Sequence, residues 1–297
     1  MDGTNGIIDL IEIELYFYEY TVRKNMGLIH FSFIPQNLGY HTNVYIILPV
    51  DIAGNGAQKK SYCKIDPYKT LYLLHGGGGN ALDWIRYTSI ERYANENNLA
   101  VVMPEVGGSC FYTDMKHGYR YYSYLADELP MVLESMLPLS KKRQDRYIAG
   151  LSMGGYGAYK WAFDRPGFFA AAGNLSGFSL ICDIFDPDKN GFASHETTSS
   201  RGCVEQNWGS LDKLKGSISD TQFMLDHAKE SGEELPSLFA AIGTEDFSYQ
   251  EGQKFMNYAK KCNIHIHYEE MPGKHEWKVW DCEIEHFIKF ALKENLE

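Results

Sequence analysis

Nothing in the 297-residue sequence approaches the ~18 uninterrupted apolar residues of a membrane-spanning helix. Positive charge is also scarce: 28 lysines and arginines against 39 aspartates and glutamates give a formal net charge of −11. Nucleic acids and anionic membranes are bound through basic patches, so neither is expected as a partner. The densest basic run, KKRQDR at 141–146, leads into a predicted strand and reads as a solvated turn. The 6 cysteines show no CxxC pair and no zinc-ligand spacing, so free thiols and no metal are expected. The N-terminus, MDGTNGIIDLIEIELYFYEY, lacks a basic leader and a small-residue cleavage site, and carries acids inside its apolar run. It is a poor export signal, which makes a cytoplasmic location the expectation. There is no internal repeat and no low-complexity tract.

What is present is alternation. Apolar, β-branched runs at 41–50, 70–76, 99–106, 146–150, 168–177, 237–243 and 264–273 read as strands. Several are apolar almost throughout, as strands buried on both faces of a parallel sheet must be. Helical patterns lie between them at about 83–97, 120–137, 153–165, 250–262 and 278–294. This order predicts an α/β domain with a doubly wound, mostly parallel sheet. Two segments interrupt it: a polar excursion at 51–69, and a long insertion at about 178–235 placed to cover a site as a cap.

Gly150-Leu151-Ser152-Met153-Gly154 falls where a strand passes into a helix and fits G-x-S-x-G. That pattern makes a sharp turn holding a serine hydroxyl outward, with glycines where backbones crowd it. Serine needs a base, and the base an orienting acid; on this type of sheet the order is Ser, acid, His. Asp246, in GTEDF after one predicted strand, and His275, in GKHEW after the next, follow in that order, with Glu245 as an alternative acid. An oxyanion needs two N–H donors. Met153, following the serine, is one; Gly77 in LLHGGGGN is the first choice for the other and Gly78 the second. That glycine run has neither the G-K-[ST] ending of a P-loop nor the G-x-G-x-x-G spacing. Trp84, Phe178 and Trp208 are candidate walls of a substrate pocket. His265 and His267 share a strand face but have no third metal ligand at suitable spacing. DPDKNGFASHE at 186–196 begins like a calcium loop, yet its twelfth position is Thr197, and a polar turn is the better reading.

YLLHGGGGNALDWIRYTSIERYA, VVMPEVGGSCFYTDM, AGLSMGGYGAYKWAF and GKHEWKVW together resemble the tributyrin esterase family, within the esterase D-like α/β-hydrolases. The likeness runs from about Met26 to the C-terminus. It leaves residues 1–25 as an extension and 26–297 as an α/β-hydrolase domain. It implies a carboxylesterase acting on short acyl or aryl esters through an acyl-enzyme, with a small-molecule ester as its partner. Ser152, Asp246 and His275 would form the triad, and Gly77 and Met153 the oxyanion hole. No cofactor is implied, and a homo-oligomer is. A feruloyl or acetyl-xylan esterase and an S-formylglutathione hydrolase remain alternatives, as does a binding module that has lost its chemistry.

Overall fold

A computed structural model describes residues 25–50, 67–186 and 198–293. Most of the N-terminal extension, the 51–69 excursion and the calcium-like stretch lie outside them. The strands are β1 (Asn25–Phe33), β2 (Thr42–Val50), β3 (Lys69–Leu74), β4 (Leu99–Pro104), β5 (Arg146–Leu151), β6 (Ala171–Leu175), β7 (Ser237–Gly243) and β8 (His267–Met271). They form one sheet in the order β1-β2-β4-β3-β5-β6-β7-β8. β1 and β2 run antiparallel to their neighbours, and the pairings from β4 across to β8 are parallel.

The central strands were readable because both of their faces are covered. Every residue of β4 and β6 is buried, and β3, β5 and β7 are buried after their first residue. The edge strands read less clearly. β1 was not among the predicted strands, yet it pairs along its whole length with β2. Its Ile29, Phe31 and Phe33 pack inward at a period of two. β8 is half exposed and shorter than the predicted 264–273.

Helices cover both faces. On one side lie α3 (residues 121–136), α4 (Met153–Asp164) and α9 (Tyr249–Lys261). On the other lie α2 (Ile90–Glu96) and the last helix, α10 (Trp277–Lys293). The predicted helix at 83–97 is two: α1 (Asp83–Tyr87) stops before α2 because the Thr88 hydroxyl donates to the Trp84 carbonyl. The Ser89 amide is drawn to Asp281 Oδ1 at 2.8 Å. Side-chain bonds of this kind compete with the helical ladder.

α3 contains a π-helical turn at Tyr124–Glu128. Pro130 has no N–H to give the Ala126 carbonyl, which accepts instead from Arg165 Nη1 at 2.9 Å. Between β6 and β7 the chain forms α5 (Ile181–Phe185), α6 (Thr198–Trp208), α7 (Leu211–Leu214) and α8 (Thr221–Ser231). No helix among the described residues is long and apolar enough to cross a membrane. The cysteines among them are free thiols.

Candidate active site

β5 delivers the chain to Ser152 at the C-terminal edge of the sheet, and α4 begins immediately after it. Ser152 sits at φ 52° and ψ −122°, a region that costs a non-glycine residue of order 1–3 kcal/mol. Its surroundings enforce this conformation. The Ser152 amide donates to the Leu175 carbonyl at 2.7 Å, and its own carbonyl accepts from Tyr156 N at 3.1 Å. A Cβ at Gly154 would overlap the Leu74 and His75 carbonyls, and one at Gly150 would overlap the Gly154 backbone. The glycines therefore let β3, β5 and α4 meet behind the serine.

Asp246 and His275 come from the loops after β7 and β8, and backbone bonds tie these loops together. Thr244 N donates to the Met271 carbonyl and Glu245 N to the Gly273 carbonyl, both at 2.8 Å. Glu245 faces solvent; Asp246 is buried and faces His275. His275 Nδ1 lies 2.8 Å from Asp246 Oδ2, and its Nε2 lies 3.0 Å from Ser152 Oγ. With Asp246 ionised, Nδ1 carries the proton and Nε2 is left to accept from the serine. The other carboxylate oxygen, Oδ1, accepts from Ser248 N at 2.8 Å and Ser248 Oγ at 2.7 Å. Burial disfavours the Asp246 anion, but the bonds from His275 and Ser248 outweigh it and hold the carboxyl below its ordinary value. Phe247 and Trp280 flank the His275 ring at 4.5 and 4.9 Å between centroids.

The glycine run after β3 lies against the Ser152 turn. A Cβ on Gly77 would be 3.9 Å from Met153 Cβ. Gly78 is already committed: it turns at φ 69° and its N–H donates to the Gly108 carbonyl at 2.8 Å. Gly77 N and Met153 N have no acceptor among the described residues. His75, which sequence reasoning passed over, braces this loop. Val106 N donates to His75 Nε2 at 3.2 Å, so Nδ1 carries the proton and donates to the Gly76 carbonyl at 2.9 Å. Burial favours this neutral form and lowers the imidazole's pKa.

The proposed pocket walls need correction. Trp84 is fully buried, with Nε1 donating to the Leu74 carbonyl at 3.0 Å and its ring edge-on to Trp277. It is a core residue that supports the end of β3. Phe178 is also in the core, against Phe255, Tyr268 and the backbone of Gly252. Trp208 packs on Phe111 and Phe185 and borders a cavity of about 310 Å³ whose lining includes Thr113 and Lys160 but not Ser152, Asp246 or His275. These aromatics drew attention because side-chain size does not distinguish a cleft wall from a core position. The missed supports, Ser248 and Trp280, act through contacts that composition does not reveal.

Residues 36–287 match the family described as "Putative esterase". The chain belongs to this esterase family. An acetyl esterase of Caldicellulosiruptor saccharolyticus is 30% identical over 272 residues, spanning 90% of this chain and 99% of that protein. Among solved structures, the fluorophosphonate-binding serine hydrolase FphF of Staphylococcus aureus is 35% identical, with a TM-score of 0.78 over 90% of this chain and 98% of its own. The S-formylglutathione hydrolase FrmB of Staphylococcus aureus is 36% identical, with a TM-score of 0.76 over 90% and 99%. This esterase is a hydrolase with the α/β-hydrolase fold.

Proposed function

We propose that this esterase is a serine carboxylesterase of short acyl esters, of the tributyrin-esterase kind, with Ser152 as nucleophile, His275 as general base and acid, and Asp246 as orienting acid. The observation that carries this reading is the hydrogen-bonded relay, 3.0 Å from Ser152 Oγ to His275 Nε2 and 2.8 Å from His275 Nδ1 to Asp246 Oδ2. Ser152 Oγ attacks the ester carbonyl carbon as its proton passes to His275 Nε2. The developing oxyanion lies between the amides of Met153 and Gly77, each worth about 2.7–4 kcal/mol to the transition state. Collapse breaks the ester C–O bond, and the alcohol leaves with the proton held by His275. Water then gives a proton to His275 and attacks the acyl-serine; collapse releases the carboxylic acid and returns the proton to Ser152 Oγ.

Short acyl chains are proposed because the acetyl esterase relative covers nearly the whole chain. The FrmB likeness favours a second substrate, S-formylglutathione, whose thioester carbonyl would meet the same three groups. The test compares kcat/KM for p-nitrophenyl esters from acetate to octanoate with that for S-formylglutathione, using wild type and Ser152→Ala. Activity that peaks at the shortest chains and disappears in the variant is expected. A preference for S-formylglutathione would select the thioesterase, and an equally inactive pair would overturn the serine assignment.

A further inference from the structure

The edge strand β8 and the last helix α10 flank the loop that carries His275. A second group of titratable side chains joins these two elements. Glu269 on β8 meets Glu283 and His286 on α10: His286 Nδ1 is 2.7 Å from Glu269 Oε2 and 3.7 Å from Glu283 Oε2. One donor atom from each of the three lies within 4.8 Å of the others.

Glu283 is 1% exposed, and its Oε2 is buried without a hydrogen-bond partner. Among the described residues no lysine or arginine pairs with either glutamate. A buried, unpartnered carboxylate oxygen facing a second carboxylate and an imidazole nitrogen marks a place short of positive charge.

We propose that Glu269, Glu283 and His286 bind a divalent cation of the zinc class, which fastens β8 to α10. Zinc takes nitrogen and carboxylate ligands at about 2.0–2.2 Å in a tetrahedron, which sets donor atoms about 3.4 Å apart. The observed separations bracket that distance. The Glu269 and His286 side chains are 31% and 42% exposed, so each has room to rotate into place and leave the fourth position to solvent. Calcium and magnesium need six or more ligands, chiefly oxygens, and fit this set poorly. His267 Nε2 sits on the other Glu269 oxygen at 2.9 Å and orients that carboxylate. α10 also carries Trp280, packed edge-on to the His275 ring, so the cation stiffens the frame of His275 without touching substrate. None of this depends on the role assigned to Ser152.

The test is calorimetric titration of chelator-treated full-length protein with zinc chloride, with thermal unfolding followed on the same samples. Wild type should bind one zinc ion per chain, and its unfolding midpoint should rise with zinc concentration. Glu283→Gln and His286→Ala should each weaken binding at least tenfold and lose the midpoint shift, with circular dichroism confirming that both are folded. Cys282→Ser should bind like wild type, because Cys282 Sγ lies by the other ring nitrogen, 3.8 Å from Nε2. If either variant fails to fold, Glu269→Ala at the exposed strand takes its place. The proposal falls if wild type binds no zinc in stoichiometric amount, if the ligand variants bind it equally well, or if only Cys282→Ser loses it. It falls too if zinc has no effect while Glu283→Gln alone raises the midpoint, which would mark a proton-sharing pair.

Discussion

Asp246 is a single carboxyl on which burial and hydrogen bonding pull in opposite directions, and the hydrogen bonds prevail. Its folded pKa lies below the unfolded value, so the folded state binds fewer protons there than the unfolded chain does. The resulting stabilisation is present above the ordinary carboxylate range and is lost as pH falls through the folded value. Asp246→Asn should therefore flatten part of the acid limb below about pH 4 in urea-unfolding measurements. The same substitution removes the acceptor that fixes the His275 tautomer, and kcat should drop on the order of 10⁴-fold. Glu245→Gln, at the exposed neighbour, should leave kcat within about twofold if Asp246 alone orients the base. Trp84→Phe tests the correction made for that residue. It deletes the bond to the Leu74 carbonyl and should cost about 1–3 kcal/mol of stability with little change in acyl-chain preference.

The turn from β5 into α4 is the element on which the site depends, and its requirements are steric. Gly154→Ala places a methyl group against two backbone carbonyls that cannot rotate away. A loss of about 1–3 kcal/mol in chemical unfolding is expected, along with a fall in kcat from a displaced Ser152. This turn was readable in the sequence because G-x-S-x-G records a backbone constraint, and β3 to β7 were readable because burial on both faces leaves continuous apolar runs. The meeting of Asp246 and His275 beside Ser152 was readable for a related reason: both residues follow strands whose ends the sheet aligns. Other features were not. The break at Thr88 is made by a hydroxyl that could as well have faced solvent. The π turn in α3 depends on Arg165 reaching the carbonyl that Pro130 leaves open. β1 lacks the apolar continuity of the inner strands, since it is only partly covered, and the same partial cover blurred the ends of β8 within the predicted 264–273. Trp84 was misjudged because a helix's buried face cannot be recognised before its neighbour is known, and Phe178 because nothing in its loop showed that Phe255 and Tyr268 would cover it.

Across the whole molecule, α4 connects the Ser152 turn to a charge buried in the core. Lys160, two turns beyond Ser152, is fully buried; its Nζ donates to the Tyr112 carbonyl at 3.0 Å and lies 4.8 Å from the Tyr122 ring centroid. Burial lowers its pKa from 10.5 to about 7. Between these two values the unfolded chain binds the extra proton, so stability should rise with pH across that window. Lys160→Met should flatten the rise, as read from unfolding midpoints between pH 7 and 9.5. The central claim concerns the other end of the same helix, and covalent labelling tests it most directly. Folded enzyme is treated with a fluorophosphonate probe, with and without excess p-nitrophenyl acetate, and the adduct is located by peptide mapping. A single adduct on Ser152, slowed by the ester and absent from Ser152→Ala, is the expected result. An adduct on another residue, or none on folded protein, would contradict the assignment of Ser152 as nucleophile.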